Sequence, residues 1–157
     1  MWLEQALSSL QNSAIAHFVD EGRYFTMAVQ TFHILAFTLL LAVALVLTLR
    51  VQGLALGTLP VARLTALLRL PYRLALTVAL VAGVLLFLPR APAYGAKTIF
   101  VWKLGLLALA IGAQTLLHTR LLRVRGQEPA APLKGLAVLA LALWFFTAAA
   151  GRAVGFV

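Results

Sequence analysis

The feature that most constrains this chain is an uncharged run of 26 residues, Tyr24 to Leu49, bounded by Arg23 and Arg50. A helix needs roughly 20 apolar residues to cross the hydrocarbon core of a bilayer. Backbone groups in lipid must find their hydrogen bonds within the segment, so such a run is expected to be helical. We therefore predict a membrane-spanning helix over residues 24–49.

Composition and further apolar segments agree with a membrane environment. Hydrophobic residues make up 63% of the 157, charged residues 11%, and the mean hydropathy is +1.00. The chain has no cysteine, which excludes disulfides, thiolate metal sites and c-type haem attachment. The other predicted spans are 70–89, 97–119 and 133–157.

The segments outside the spans are expected at the membrane surface. Residues 1–22 place apolar and polar side chains at helical spacing, which indicates an amphipathic interfacial helix. They show no basic region followed by a long apolar run, so we expect no cleaved signal peptide. Residues 51–69 contain breakers and are also expected on the surface, and PRAPAYG (89–95) is expected to turn. The predicted fold is all-α: one membrane domain forming an up-down-up-down four-helix bundle with an N-terminal interfacial helix.

The formal charge of +9 is read here as a topology signal, because the basic residues lie between apolar runs. Nucleic acid is therefore not an expected partner. Eight of the 13 Lys and Arg residues fall on the face that carries the first and third loops, against one acid. The positive-inside rule makes that face cytoplasmic. Both termini are then periplasmic if the membrane is a bacterial inner membrane.

Small residues in the last two spans are expected to allow close helix packing. The alternative is that they reflect only a high alanine content. The residues are Gly105, Ala108 and Gly112 in the third span, and Ala140, Ala148 and Gly151 in the fourth.

His33 is the most informative single residue, since it lies inside the first predicted span with Gln30 and Thr26 on the same helical face. An ionisable group within a span usually faces the bundle interior and marks a functional site. Imidazole is a common axial ligand of haem iron. A neutral histidine hydrogen-bonded to a neighbouring helix is the equally weighted alternative.

Lys103 is the internal charge of the third span, and helix geometry places it nearly level with His33. A haem ligated by His33 would turn its propionates toward the outer interface, where Lys103 could neutralise them. Tyr94 and Trp102 could line the same opening. Alternatively, Lys103 extends outward and the two aromatic residues form an interfacial belt.

The other two histidines are weaker candidates for cofactor or metal binding. His118 lies near the cytoplasmic end of the third span, beside Gln114, where a hydrated interfacial histidine is the main alternative. His17 belongs to the surface helix and is expected to be exposed, unless that helix folds over the bundle opening. At about 1.5 Å per residue, His33 and His118 differ in depth by about 20 Å, so they cannot ligate one haem together.

Several kinds of chemistry lack their residues in this sequence. No acid lies within a span, so a carboxylate proton relay or cation site is not expected. No phosphate-binding glycine loop, zinc-binding HExxH pattern or nucleophilic triad is present. A stand-alone enzyme is therefore not the favoured interpretation.

Two sequence blocks resemble a little-characterised bacterial family of four-helix membrane proteins. They are FHILAFTLLLAVALVLTLRVQGL (32–54), which begins with the first-span histidine, and AGVLLFLPRAPAYGAKTIFVWKLGLLAL (82–109). The layout is similar to copper-resistance-D-like and b-type cytochrome membrane modules. The resemblance implies a redox or haem-associated role in which His33 and Lys103 are the site residues, with Phe87, Tyr94 and Phe100 at matching places.

The sequence is compatible with three functions. The leading expectation is a b-haem-binding electron-transfer subunit or anchor, with the cofactor toward the outer face and redox subunits or a second copy as partners. The first alternative is a cofactor-free structural or assembly subunit of a larger membrane complex. Transport of a small solute or metal ion is the second, and it is weakened by the lack of buried acids and of Met or Cys clusters.

Overall fold

The computed structural model describes residues 2–95, 97–124 and 128–153, and within these ranges the chain is helical without strands. A single 3-10 turn, Leu88–Arg90, interrupts the α-helices. In chain order the helices are α1 (Trp2–Gln11), α2 (Ala14–Glu21), α3 (Arg23–Gln52), α4 (Val61–Phe87), α5 (Ala91–Gly95), α6 (Thr98–Leu121) and α7 (Ala131–Ala153).

Four of these helices, α3, α4, α6 and α7, are long and apolar enough to cross a bilayer. They form the predicted all-α four-helix membrane bundle. Large apolar side chains such as Phe32, Leu67 and Leu109 are exposed along their outer surfaces. In a soluble protein such surfaces would cost hydrophobic free energy, whereas lipid solvates them at no such cost.

The bundle consists of two helical hairpins. Helices α3 and α4 pack closely along their lengths, as do α6 and α7, and the hairpins meet mainly through α3 and α7. Contact between α4 and α6 is sparse. The buried core includes Leu40 and Leu47 of α3, Leu117 of α6 and Trp144 of α7.

The predicted surface helix over residues 1–22 is two short helices rather than one. The break falls at Ser13, whose side-chain oxygen accepts a hydrogen bond from the Ala16 amide at 3.3 Å. Serine is a favoured N-cap because its oxygen satisfies one of the amides that a helix start leaves unpaired. The surface pattern alone did not reveal this new start.

The second long helix begins at Val61, nine residues before the predicted span, so the expected surface segment 51–69 is mostly helix. The connection is short because Gly53 ends α3 in the left-handed conformation, with φ of +80°. The buried side chain of Arg50 donates from Nε to the Leu59 carbonyl at 2.7 Å and holds the turn. Arg63 is exposed while Leu64 is buried, so the start of α4 is amphipathic.

The other boundaries also differ from expectation. The PRAPAYG segment is not a simple turn but the end of the 3-10 turn followed by α5. Proline is compatible with helical first turns, where its missing amide would be unpaired anyway. The predicted last residues of the fourth span, 154–157, and part of the loop, 125–127, lie outside the described residues.

Packing of the small residues is confirmed for one helix and wrong for the other. In α7, Ala140 is fully buried and Gly151 lies against Lys103. In α6, Gly105 and Gly112 are exposed, with open space beside each. Helix α6 packs mainly through its other face, which carries the buried Ala110.

Candidate functional site

A cavity of about 420 Å³ lies between the two hairpins at the end of the bundle where α3 begins and α7 ends. All four long helices and α5 contribute to its wall, where α4 and α6 are not in close contact. Its volume falls within the range of ligand pockets, roughly 300–1,000 Å³. Three of the predicted site residues line it: His33, Lys103 and Tyr94.

The His33 ring is fixed by a hydrogen bond to the neighbouring helix. Its Nδ1 lies 2.9 Å from the main-chain oxygen of Ala79 in α4. A carbonyl oxygen only accepts hydrogen bonds, so Nδ1 carries the hydrogen and Nε2 of the neutral ring keeps its lone pair. This arrangement fits both sequence interpretations, because the histidine bonds to a neighbouring helix and still offers a ligand nitrogen.

Gly83 makes room for the His33 ring on α4. A Cβ at this position would lie 3.2 Å from His33 Cε1 and 3.7 Å from Nδ1. The first distance is tighter than ordinary van der Waals contact, so a larger residue would push the ring away. Gly83 also lines the cavity. No sequence pattern indicated this role of Gly83, because the role depends on which helix faces His33.

Lys103 reaches the cavity from α6 over the surface of α7. A Cβ at Gly151 would lie 3.3 Å from Lys103 Cε and 3.5 Å from Nζ. Glycine therefore allows the lysine stem to lie close to the α7 backbone. Arg152 also lines the cavity, and no acidic side chain is among the described lining residues. The cavity wall is therefore positively charged at Lys103, which favours a ligand that carries negative charge.

Aromatic rings form much of the remaining wall. Phe87 and Phe100 stack with centroids 5.1 Å apart, and Tyr94 lies 6.1 Å from Phe100 at an angle of 18°. Phe37 lies 6.2 Å from His33. Trp102, which was expected at the same opening, is 69% exposed and does not line the cavity.

Gln30 lies beside this cavity rather than in it. It lines a smaller hollow of about 140 Å³ together with Asp20, Thr26 and Arg90. Tyr94 borders both spaces. Gln30 was expected on the same helical face as His33, and in the structure the two side chains line different hollows.

The remaining histidines occupy other parts of the molecule. His17 is exposed on α2 and lines neither hollow. His118 is buried and stacks on Tyr72 with centroids 5.0 Å apart. Tyr72 lies about 10–17 Å along α4 from the positions that contact His33, so the two buried histidines lie at different depths.

No protein-family model matches the chain, and no curated protein or solved structure gives a significant match. Within the described ranges, His, Cys, Asp and Glu do not gather in groups of three or more that could hold a metal ion. A cofactor held through one imidazole and an apolar wall needs no such group.

The residues around the cavity fit a haem in three respects. A fixed imidazole offers a lone pair, aromatic and aliphatic side chains provide an apolar wall, and Lys103 and Arg152 provide positive charge. Haem proteins use the same elements: an axial nitrogen, an apolar pocket and basic partners for carboxylates.

Proposed function

We propose that this protein is a b-haem-binding membrane subunit that transfers electrons, with the cofactor in the cavity beside His33. The observation that carries the proposal is the hydrogen bond from His33 Nδ1 to the Ala79 carbonyl. Metal-bound histidines commonly donate their other ring hydrogen to a carbonyl, which fixes the tautomer and orients the ligand nitrogen. Bound haem would supply a one-electron iron centre within the bilayer.

The tautomer of His33 also discriminates between ligand classes. A neutral ring that donates from Nδ1 has only an acceptor at Nε2. Such a nitrogen suits a metal ion or a hydroxyl donor, whereas a carbonyl ligand such as a quinone oxygen would require a donor there. This favours an iron ligand over an oxidised quinone.

Positive charge beside the cavity is the second support for the proposal, because haem carries negatively charged propionates. A charged ligand in an apolar cavity must be neutralised, because an isolated charge in a low dielectric is costly. Lys103, which lines the cavity, would neutralise a propionate group. No acid is among the described lining residues, which supports an anionic ligand over a cationic one.

The cellular setting belongs to the same proposal. We place the protein in a bacterial inner membrane with both termini periplasmic, supported by the excess of basic residues around the first and third loops. The cavity then lies toward the periplasmic half. Periplasmic or membrane redox subunits are the partners that this location would allow.

The test is the optical spectrum of the detergent-purified protein with pyridine haemochrome analysis. We expect a Soret band with about one haem per chain, lost in His33→Ala and partly restored by added imidazole. His17→Ala is the matched control and should keep the band. A colourless wild-type protein produced with ample haem, or a band that survives His33→Ala, would reject the assignment.

A second candidate is a structural subunit of a larger membrane complex. It is favoured by the exposed small residues of α6, Gly105, Ala108 and Gly112. A Cβ at Gly105 or Gly112 would meet no atom of the described residues within 4 Å beyond its own helix backbone and chain neighbours. Such a row allows close approach of a partner helix. A colourless protein that co-purifies with one fixed partner, and loses it in Gly112→Leu, would favour this function.

A further inference from the structure

Four buried polar atoms in the other half of the bundle have no hydrogen-bond partner among the described residues: the Tyr72 hydroxyl and one atom in each of three groups near it. These three atoms are His118 Nε2, Gln114 Oε1 and Trp144 Nε1. Their side chains are almost fully enclosed: Trp144 is 0% exposed, Gln114 1% and His118 6%. Most buried polar atoms in proteins are paired, so four unpaired ones in one region need a physical explanation.

The three groups belong to one cluster around the ring of Tyr72. His118 stacks on Tyr72 at 5.0 Å, and Trp144 meets the same ring edge to face at 6.5 Å. Gln114 Nε2 lies 3.3 Å from His118 Nδ1. The Tyr72 hydroxyl also has no hydrogen-bond partner among the described residues.

The hydrogen-bonding character of each group can be assigned. His118 Nδ1 lies 2.9 Å from the main-chain oxygen of Gln114, so it donates there and Nε2 is an acceptor. The indole nitrogen of Trp144 is only a donor. Whichever end of the Gln114 amide faces His118, the other end remains without a partner.

This mixture of donors and acceptors selects the ligand. A metal cation would be repelled by the indole N–H, and an anion by the lone pair of the imidazole. A small neutral molecule that both donates and accepts can satisfy both groups. We propose that His118, Gln114 and Trp144 hold bound water, as one molecule or a short hydrogen-bonded chain, in the core of the bundle.

The site lies apart from the His33 cavity and does not depend on haem binding. Trp144 lies between the two, because it contacts both Tyr72 and Phe37, the latter at 5.6 Å, and Phe37 lines the cavity. The protein would therefore contain two separate sites: the cavity lined by His33 and, on the other side of Trp144, a hydrated polar site in which His118 Nε2 accepts a hydrogen bond. Such a site provides exchangeable protons inside an otherwise apolar bundle.

The experiment observes the Trp144 indole directly. The chain has three tryptophans, and Trp2 and Trp102 are 79% and 69% exposed, so Trp2→Phe with Trp102→Phe leaves Trp144 alone. In the ¹⁵N-tryptophan-labelled protein in nanodiscs, we expect an NMR cross-peak between the indole hydrogen and water. The indole hydrogen should also exchange with deuterium while the helix amides around Ala140 remain protected.

A further substitution in the Trp2→Phe, Trp102→Phe protein tests whether Gln114 and Trp144 belong to the same hydrated site. Gln114→Leu should weaken the water cross-peak of Trp144, because it removes one of the polar groups that hold the bound water in this site. Gln5→Leu, the same change at an exposed position of α1, should leave it unchanged. A folded protein that lacks the cross-peak, or a cross-peak indifferent to Gln114→Leu, would overturn the proposal.

Discussion

His33 and His118 share one arrangement at the level of single residues. Each places Nδ1 2.9 Å from a main-chain oxygen, Ala79 for His33 and Gln114 for His118. The bond satisfies one nitrogen without any acidic side chain, which an apolar bundle can hardly accommodate. The difference lies in what surrounds the other nitrogen: His33 lines an open cavity, whereas His118 is enclosed by side chains.

Gly83 offers the sharpest residue-level prediction. Gly83→Val places side-chain atoms where the His33 ring lies, so we expect the ring to be displaced and haem to be lost. Overpacking of this kind costs about 1–3 kcal/mol of stability. The haem-to-protein ratio and the unfolding midpoint in detergent measure the two effects.

Gly112→Val is the matched control, because Gly112 has open space around it on the same type of helix. It should bind haem normally. Equal haem loss in both variants would show that helix propensity, and not contact with His33, explains the effect at Gly83.

Lys103 carries the second residue-level prediction. Lys103→Met keeps an unbranched apolar stem but removes the positive charge beside the cavity. A cation favours the reduced, less positive iron, so its removal should lower the midpoint potential of the bound haem. A redox titration followed at the haem absorption bands measures the shift.

Lys134→Met, at the far end of α7, is the control for Lys103. Its charge lies at the opposite end of the bundle, so the potential should change little. If both variants shift the potential equally, general surface charge is responsible. An unchanged potential in Lys103→Met would remove the lysine from the site.

At the level of helices, Thr48 shows how the two hairpins are joined. Its hydroxyl lies 2.8 Å from the Ala44 oxygen of its own helix and 3.0 Å from the Ala137 oxygen of α7. Thr48→Val keeps the shape and removes both contacts. Hydrogen bonds between membrane helices contribute about 0.6 kcal/mol on average and up to about 1.7 kcal/mol.

We expect a loss of stability in that range, measured by unfolding in mixed detergent and SDS. The control is Thr38→Val, whose hydroxyl bonds only within its own helix, to the Ile34 oxygen. Equal effects of the two substitutions would mean that the contact with α7 adds nothing.

The comparison of sequence and structure is most instructive for helices and their ends. Long uncharged runs predicted four spans, since lipid leaves little choice of structure. The start of α4 was missed because Arg63 and Arg69 were read as surface markers, although a helix can expose both and bury Leu64. The rise per residue was enough to predict that His33 and Lys103 lie at a similar depth. The contacts of Gly83 with His33 and of Gly151 with Lys103 depend on how each helix is rotated about its axis, and hydropathy does not encode that rotation.

At the level of the whole molecule, topology can be tested without altering the bundle. The chain lacks cysteine, so single cysteines can be placed in the exposed connections at Asn12 and Leu54. We expect a membrane-impermeant maleimide to label Asn12→Cys in intact cells. Leu54→Cys should react only after permeabilisation, because the proposed topology keeps the basic loops inside.

The reverse labelling pattern would invert the topology and turn the cavity toward the cytoplasm. Labelling of both positions in intact cells would be incompatible with an odd number of crossings between them. A cysteine-free parent protein, carried through the same steps, controls for background reaction.

The sparse contact between α4 and α6 has a mechanical consequence. On one side the hairpins contact each other through α3 and α7. On the other side the cavity lies between them. A molecule bound in the cavity would contact both hairpins and hold them together. Its departure should let this end of the bundle open, so protease cleavage near Tyr94 would report whether the cavity is occupied.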